Sequence, residues 1–263
     1  MNISRRPSLE GPDQARHVRA YWNERIHDLE MTSQPVGSRR FFEELDDYRF
    51  DKLAYLPRVV DFNGYRGKRL LEIGCGIGTD LVRFARGGAI VSGLDLSETA
   101  VGLAKKNLEV HGFRGSLMIG DGSTLPFADA TLDVVYAHGV LQYAPDPRRI
   151  VEEAQRALKP GGTAIFMVYN RISWLWGMSK VSKVDLEHDD APVLRLYSIP
   201  EFRTLLSGFA KTTIVPERFP VKSRIQKGWK ATLFNGVFVG AFNAIPRPLV
   251  RRLGWHLMAI CRK

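Results

Sequence analysis

The chain is poor in cysteine and in long apolar runs. Its 263 residues include two cysteines, Cys75 and Cys261, which excludes a disulfide framework or a cysteine metal cluster as the basis of the fold. Nowhere do about twenty apolar residues follow one another, so a membrane-spanning helix is not expected. Residues 1–7 carry charge with no apolar stretch behind them, which argues against a secretory leader. We therefore expect a cytoplasmic protein.

Acidic residues are nearly absent from the last fifth of the chain. The formal net charge is +10, and Lys211 to Lys263 holds eleven Lys and Arg residues against the single acid Glu217. Such asymmetry suits a polyanionic partner, an anionic membrane surface or a solvated basic face. No signature of a DNA- or RNA-binding module accompanies it, so a nucleic acid partner is not expected.

A glycine-rich segment at 71–80, Leu-Glu-Ile-Gly-Cys-Gly-Ile-Gly-Thr-Asp, is the most informative stretch of the chain. Gly74, Gly76 and Gly78 follow an apolar run and permit a sharp turn that brings bare backbone close to a ligand. Thr79 stands where a dinucleotide fingerprint has Gly or Ala, and the acidic Glu72 precedes the loop. These two features favour a cationic ligand over a pyrophosphate.

A second apolar run, 89–94, ends at Asp95. The residue is expected at the tip of the next strand, where its carboxylate can accept hydrogen bonds from two ribose hydroxyls. A nucleoside joined to a cation describes S-adenosylmethionine.

With these residues the chain resembles the class I S-adenosylmethionine-dependent methyltransferases. The resemblance continues in family order through Gly120-Asp-Gly122, Leu125-Pro-Phe127, Leu132-Asp-Val-Val-Tyr136 and Leu158-Lys-Pro-Gly-Gly162. It implies an α/β fold, with a doubly wound, seven-stranded, mostly parallel Rossmann-like sheet, and S-adenosylmethionine as cofactor. The resemblance also implies methyl transfer to a hydroxyl, amine or carbon of a small or amphipathic metabolite, including glycan- or lipid-linked ones.

The alternation of β-branched runs with helical patterns indicates the same sheet. We predict an N-terminal helical cap at 1–66 and a catalytic domain at 67–263 with an insertion at 220–253. The predicted strands are 69–74, 89–95, 116–120, 132–138, 163–169, 211–219 and 254–263, of which the family pairs the last two as an antiparallel hairpin. The predicted helices are 13–28, 38–62, 79–87, 97–111, 147–158 and one with Pro200 in its first turn, and 174–190 is expected to be irregular.

The family match implies a set of cofactor contacts. Glu72 and the loop backbone at Gly74, Cys75, Gly76 and Gly78 would hold the methionyl portion. Asp95 would bind the ribose, and Asp121 with the amide of Gly122 would bind the adenine. Leu96 and Ala137 are the remaining candidates for contact with the cofactor. Asp121 also suits a turn cap. Asp80 fits two roles equally, as a first-turn acid favoured by the helix dipole and as a partner of the cofactor's ammonium.

Acceptor chemistry is expected after the fourth strand, in Tyr-Ala-His-Gly-Val-Leu-Gln-Tyr at 136–143. This stretch lacks the Asn/Asp-Pro-Pro-aromatic sequence typical of base N-methylases. His138 is a candidate catalytic base for a hydroxyl near neutral pH, or contributes its backbone alone. Tyr143 is the second catalytic candidate, and Gln142 could also orient an acceptor. Residues 185–190 are acidic but lack metal-ligand spacing, so no metal is expected, and His188 is interpreted as a solvated loop residue.

The segment before the sheet supplies further candidates. In similar enzymes such a segment closes over the cofactor, which makes Tyr21, Trp22 and Arg39 candidates for the site. The apolar side chains at near-helical spacing in the second helix, Phe41, Phe42, Leu45 and Tyr48, are expected to pack against the edge of the sheet.

The insertion contains an uncharged stretch, 231–246, flanked by basic residues. On a helical wheel its larger apolar side chains, among them Phe238, Phe242 and Ile245, fall within one half. It is interpreted either as a lid on the pocket or as a helix that contacts an anionic membrane surface. Two rival functions remain open: a nucleic-acid or membrane-surface adaptor that retains the fold, and a nicotinamide-dependent reductase, which Thr79 and the tract 159–162 disfavour.

Overall fold

A computed structural model describes residues 12–25, 29–182, 188–220, 236, 239–246 and 250–263. Its centre is a seven-stranded sheet in the order β3-β2-β1-β4-β5-β7-β6. The strands are β1 (Arg69–Ile73), β2 (Ile90–Asp95), β3 (Ser116–Ile119), β4 (Leu132–His138), β5 (Leu158–Tyr169), β6 (Lys211–Glu217) and β7 (His256–Arg262). The first five are parallel, and β7 runs antiparallel to both β5 and β6. The predicted fold class and edge hairpin are confirmed.

The helices described by the structure are α1 (Pro12–Glu24), α2 (Arg39–Lys52), α3 (Leu56–Val59), α4 (Thr79–Arg86), α5 (Glu98–Val110), α6 (Pro147–Ala157), α7 (Trp174–Ser182), α8 (Ile199–Leu205) and α9 (Val239–Ala244). Side-chain caps fix several starts. Ser97 accepts a hydrogen bond from the Ala100 amide at α5, and Ser198 with Glu201 forms a capping box at α8. Such caps satisfy amides that have no partner within the helix. No helix among the residues described could cross a bilayer.

Three predicted elements differ in the structure. The predicted helix 38–62 is two helices, because Pro57 has no amide hydrogen to donate to the carbonyl of Leu53. Part of the predicted irregular insert is helix α7, whose start is capped by the Ser173 hydroxyl. Strand β5 begins at Leu158 rather than 163, and a register shift on its pairing with β4 takes up the extra residues.

The sheet is covered on both faces because neighbouring strand residues point to opposite sides. Leu71 and Val135 belong to the core beneath α6 and α8, whereas Leu70 and Val134 belong to the opposite core. The latter includes Leu53, Leu56, Val60 and Phe62, so residues of the predicted N-terminal cap share a core with the sheet.

Helix α2 packs elsewhere than the sequence suggested. Phe41, Phe42 and Leu45 contact Ile77 of the glycine loop and side chains of α5, among others, rather than the edge of the sheet. The expectation of edge packing is corrected, since the amphipathic face of α2 finds its partner on α5. Helix α2 also brings Arg49 within hydrogen-bond distance of Asp80 in the first turn of α4.

Candidate active site

A cavity of about 260 Å³ opens at the carboxyl ends of the parallel strands. Its wall is formed by the loops after β1 to β4, by α1 and α2, and by the start of β7. Because β7 is antiparallel, its first residue, His256, pairs with Tyr169 at the end of β5 and reaches the same edge of the sheet. The carboxyl edge of a doubly wound sheet is where such folds bind ligands.

The three loop glycines have positive φ angles but different surroundings. At Gly74 an added Cβ would lie 2.4 Å from Val140 Cγ2, and at Gly78 it would lie 3.1 Å from Ala104 Cβ. At Gly76, with φ of +51°, a Cβ would meet nothing within 4 Å. Gly76 lines the cavity, whereas Gly78 packs on α5 and is not part of the wall.

Asp95 ties the glycine loop to the end of β2. Its Oδ2 accepts a hydrogen bond of 2.8 Å from the Gly76 amide, and its Oδ1 accepts one of 2.9 Å from Ser97. Burial raises the pKa of the Asp95 carboxyl, against the lowering effect of these amides. Each oxygen can accept a further bond, so Asp95 can hold the loop and bind hydroxyls in the cavity at once.

Glu72 is the one carboxylate of the wall that combines deep burial with an unpaired oxygen among the residues described. Its side chain lines the cavity, the residue is 4% exposed, and Oε2 has no hydrogen-bond partner. Burial and the neighbouring Asp80 raise the pKa of the Glu72 carboxyl, and Arg49 opposes them. Buried polar atoms in native proteins nearly always have partners, so the position calls for a donor from a ligand.

Asp80 is held by side chains of the protein itself. Arg49 donates to both of its oxygens, at 2.7 Å to Oδ1 and 2.5 Å to Oδ2, and Tyr136 donates to Oδ2 at 2.8 Å. Burial alone would raise the pKa of Asp80, but the charge and hydrogen bonds of Arg49 lower it. Arg49 was not among the predicted site residues, because its partner lies in another helix.

The remaining predicted cofactor contacts divide into two groups. Cys75, Leu96, Asp121 and Gly122 line the cavity. Asp121 also accepts a hydrogen bond of 2.8 Å from the Ser123 amide, as expected of a turn cap. Ala137 is fully buried in the core beneath α6, because strand alternation turns its side chain away from the face that carries Tyr136 and His138.

Four aromatic side chains form part of the cavity wall. Trp22, Tyr143, Tyr169 and His188 all line the cavity. The Trp22 ring lies 5.1 Å from Tyr143 and 4.9 Å from His188, and Tyr143 donates a hydrogen bond of 3.2 Å to the Tyr169 hydroxyl. The interpretation of His188 as a solvated loop residue is corrected.

Helix α1 explains why His188 lies on the wall. Tyr21 of α1 donates a hydrogen bond of 2.7 Å to Asp190 and lies 3.1 Å from Nδ1 of His188, and Arg25 forms an ion pair with Asp190. Burial and Asp190 raise the pKa of Tyr21 to about 12.

Three further candidates lie away from the cavity. Tyr21 stands behind the wall. Arg39 pairs with Glu43 and is not part of the wall either. Gln142 is fully buried beside Gly139 and lies off the wall.

Two imidazoles and a phenol form a row along the floor of the cavity. The Tyr55 hydroxyl lies 3.2 Å from Nε2 of His138 and 2.6 Å from Nδ1 of His256. Arginines stand at both ends, Arg49 Nη2 at 3.4 Å from Nδ1 of His138 and Arg218 Nη1 at 2.9 Å from Nε2 of His256. The sequence prediction included only His138 of this row, although an antiparallel last strand implies that its first residue reaches this edge.

Comparison with known proteins finds similarity to methyltransferases. A family model described as a methyltransferase domain matches residues 71–166. A ubiquinone biosynthesis O-methyltransferase of Coxiella burnetii is 32% identical over 120 residues, which are 46% of this chain and 50% of that protein. The match to the family model begins in β1 and ends in β5. Residues 71–166 of the chain match the methyltransferase domain family.

Other relatives of the methyltransferase domain differ in the atom they methylate. A ubiquinone biosynthesis O-methyltransferase of Idiomarina loihiensis is 36% identical over 130 residues, 48% of this chain and 53% of that protein. A sterol 24-C-methyltransferase of Gibberella zeae is 39% identical over 114 residues, 41% of this chain and 28% of that protein. The chain thus spans about half the length of the ubiquinone relatives.

The fold extends beyond the methyltransferase domain. A solved S-adenosylmethionine-dependent methyltransferase of Thermotoga maritima superimposes with a TM-score of 0.62 at 21% identity, covering 94% of this chain and all of that one. The cavity residues fit the cofactor of the family, because Glu72 offers an unpaired buried carboxylate oxygen and Gly76 leaves open space beside it.

Proposed function

We propose that the chain transfers a methyl group from S-adenosylmethionine to a hydroxyl, amine or carbon of a small or amphipathic acceptor. The observation that carries the proposal is the unpaired Oε2 of Glu72 on the wall of a cavity that Gly76 leaves open. A carboxylate in such a place suits an ammonium group, which can supply both charge and hydrogen-bond donors. A nicotinamide cofactor carries no such group.

The cofactor would be held at its two polar ends. Glu72 would accept from the ammonium of the methionyl portion, Asp95 from the ribose hydroxyls, and Asp121 from the adenine amino group, with the Gly122 amide as a donor. The loop at Gly74, Cys75 and Gly76 would supply the close backbone approach. Bound S-adenosylmethionine supplies an electrophilic methyl group, so the chief task of the protein is to position the acceptor against it.

His138 and Tyr143 are proposed as the residues that face the acceptor. Both line the cavity, and Tyr143 belongs to the aromatic wall with Trp22, Tyr169 and His188. A wall of aromatic rings suits a flat or apolar acceptor. Two relatives are named for ubiquinone biosynthesis and for sterol methylation, and ubiquinone and sterols are apolar molecules of this kind.

We also propose a cytoplasmic protein that touches anionic membranes through its insertion, 220–253. Only 220, 236, 239–246 and 250–253 of this segment lie within the structure described. There Phe242 packs near Trp174 and Phe219, at 6.4 and 6.3 Å between ring centroids. Ile245 is 41% exposed, and Arg251 and Arg252 are exposed nearby. The basic composition of the last fifth of the chain supports this proposal.

Two experiments test the proposed function. Calorimetric titration with S-adenosylhomocysteine and, separately, with NADH should show binding of the first and none of the second. The opposite result would favour the reductase. The chain should then transfer labelled methyl groups from S-adenosylmethionine into a cell lysate that is afterwards separated into lipid and aqueous fractions. Label in the lipid fraction would indicate an amphipathic acceptor. Cofactor binding without any transfer would favour the adaptor.

A further inference from the structure

The row of His138, Tyr55 and His256 is enclosed by the protein and bounded by two arginines. Tyr55 is 4% exposed and His256 1%. His138, His256, Arg49 and Arg218 all line the cavity, whereas Tyr55 lies behind them. The polar contacts described along the row join titratable or charged side chains, and Tyr55 also contacts Met258 Sδ. The chemistry of the donors constrains the positions of the hydrogens in these contacts.

The hydrogens can be assigned from the end at Arg218. A guanidinium has only N–H donors, so Nε2 of His256, 2.9 Å from Arg218 Nη1, must accept. A neutral imidazole that accepts at one nitrogen carries its hydrogen on the other. Nδ1 of His256 therefore donates to the Tyr55 oxygen, 2.6 Å away.

Arg49 fixes the positions of the hydrogens at the other end of the row. Its Nη2 donates one hydrogen to Asp80 and lies 3.4 Å from Nδ1 of His138, which accepts the other. Nε2 of His138 then carries the hydrogen and donates to the Tyr55 oxygen at 3.2 Å. That oxygen has two lone pairs for the two imidazoles, and its own hydrogen points to Met258 Sδ at 3.8 Å.

We propose that Tyr55 is a positioning residue that fixes His138 in the tautomer protonated at Nε2, so that Nδ1 takes the proton of a hydroxyl acceptor. The proposal rests on the proposed function and, between its hydroxyl and amine acceptors, selects the hydroxyl. A neutral amine already offers a lone pair to a methyl donor. A hydroxyl becomes a strong nucleophile only as its proton leaves, so a neutral imidazole held in one tautomer matches a hydroxyl.

The proton balance of the step is simple. The acceptor O–H bond breaks, its proton moves to Nδ1 of His138, and an oxygen lone pair forms the new O–C bond. Bound S-adenosylmethionine would supply the methyl carbon, and the electron pair of the broken S–C bond would remain on its sulfur as the positive charge is lost. His138 ends as an imidazolium whose Nε2–H still donates to Tyr55, and Nδ1–H replaces the contact with Arg49.

The surroundings of His138 can accommodate that charge. Tyr136 stacks on its ring at 6.1 Å, and His256 lies 5.6 Å away. The Asp80 carboxylate, bonded to both Arg49 and Tyr136, supplies the nearby negative charge. The Asp80 carboxylate interacts electrostatically with His138, and a nearby negative charge favours the protonated imidazole. The guanidinium of Arg49 beside it acts in the opposite direction. Besides its ion pair with Arg49, Asp80 therefore stabilises the positive charge that the step leaves on His138.

Nitrogen NMR tests the positioning directly. The full chain, with ¹⁵N-labelled histidine, is observed about two pH units above the ordinary imidazole pKa of about 6.5, where imidazoles are neutral. His138→Gln and His256→Gln assign the signals. We expect His138 protonated at Nε2 and His256 at Nδ1, and a mixture of tautomers at His138 in Tyr55→Phe. Tyr65→Phe, a partly buried phenol outside the row, should change neither. Wild-type His138 protonated at Nδ1, or no effect of Tyr55→Phe, would overturn the proposal.

A coloured phenol tests the proton acceptor. 4-Nitrophenol, added to the chain loaded with S-adenosylhomocysteine at the ordinary imidazole pKa of about 6.5, should show a larger fraction of its coloured anion when bound than when free in the same buffer. This excess of anion should fall about tenfold or more in His138→Gln and Tyr55→Phe and stay in Tyr65→Phe. Bound 4-nitrophenol with no more anion than the free phenol would overturn the assignment of Nδ1.

The two failures are distinguishable. If S-adenosylhomocysteine does not bind, the proposed function fails whatever the tautomers are. If it binds and Tyr55→Phe leaves the tautomer of His138 unchanged, only the present inference fails. Affinity for S-adenosylhomocysteine, expected to stay within about twofold in Tyr55→Phe, also verifies that this variant is folded.

Discussion

Arg49 and Asp80 join α2 to the first turn of α4 through two hydrogen bonds, of 2.7 and 2.5 Å. The Asp80 side chain is 1% exposed and that of Arg49 22%, so water contributes little to the solvation of the carboxylate. Removing one partner of a buried ion pair leaves an uncompensated charge and typically costs about 3–5 kcal/mol. The pair therefore fixes α2, which carries the arginine next to His138, against the cofactor loop.

Replacing Arg49 by Met should destabilise the chain by roughly 3–5 kcal/mol near neutral pH. Arg49 lowers the pKa of Asp80 in the folded state, so its contribution is present above the ordinary carboxyl pKa of 3.8 and is lost as pH falls through the lower folded value. The unpaired Asp80 of the variant is neutralised by acid as well. Urea unfolding over a pH series should show that the difference in free energy of unfolding between wild type and Arg49→Met becomes smaller as the pH falls.

Arg39→Met is the control for that series. Arg39 and Glu43 form a surface pair, with side chains 63% and 37% exposed, and its loss should change stability by no more than about 0.5 kcal/mol. A gap between wild type and Arg49→Met that stays constant into acid, or one no larger than that of Arg39→Met, would mean that the pair does not stabilise the fold.

Gly76→Val and Gly78→Val should separate binding from packing. A side chain at Gly76 would enter the open cavity, so we expect loss of S-adenosylhomocysteine binding. The free energy of unfolding should fall only by the cost of placing a side chain at a left-handed backbone angle, about 1–2 kcal/mol. A side chain at Gly78 would press on Ala104 of α5, so the larger fall in Tm is expected there. A Gly76→Val protein that binds as wild type does would show that the loop is only structural.

Asp95→Ala should weaken S-adenosylhomocysteine binding by more than tenfold, since charge-assisted hydrogen bonds to two hydroxyls contribute roughly 1.5–3 kcal/mol. Some stability should also be lost, because Asp95 accepts from the Gly76 and Ser97 amides. Calorimetry at a temperature well below Tm separates the two effects. Unchanged affinity in a folded variant would remove Asp95 from the ribose site.

Ile245→Ser tests the membrane proposal. If Ile245 enters the interface, its loss should weaken binding to anionic vesicles at low salt by roughly 1.5–3 kcal/mol, about tenfold or more, and leave S-adenosylhomocysteine affinity unchanged. Phe242→Ser is the comparison variant: because its ring packs near Trp174 and Phe219, it should lower Tm. Negligible vesicle binding by the wild-type chain would contradict the proposal of membrane contact.

Local sequence patterns predicted most of the fold. Alternating apolar residues determine the strands, and Gly74 to Gly78 determine the turn after β1, because these preferences act between near neighbours in the chain. The interruption of the second helix at Pro57 was also visible in principle. Helix α7 was missed since its apolar residues show weak periodicity, and its start depends on the Ser173 hydroxyl.

The polar side of the site could not be predicted in the same way. Arg49 meets Asp80 across 31 residues, and Tyr55 meets His256 across 201. Such pairs arise when separate elements converge, and no local preference encodes them. His188 was misplaced for the same reason, since its position depends on Tyr21 and Arg25 holding Asp190.

The most direct test of the central claim is calorimetric titration of Glu72→Gln with S-adenosylhomocysteine. Gln keeps the size of the side chain and removes the charge that would meet the ammonium, so affinity should fall by about tenfold to a hundredfold. Glu152→Gln, at an exposed carboxylate of α6, should bind like the wild type. Equal affinity of wild type and Glu72→Gln, or no binding by either, would contradict a cofactor site built around the unpaired oxygen of Glu72.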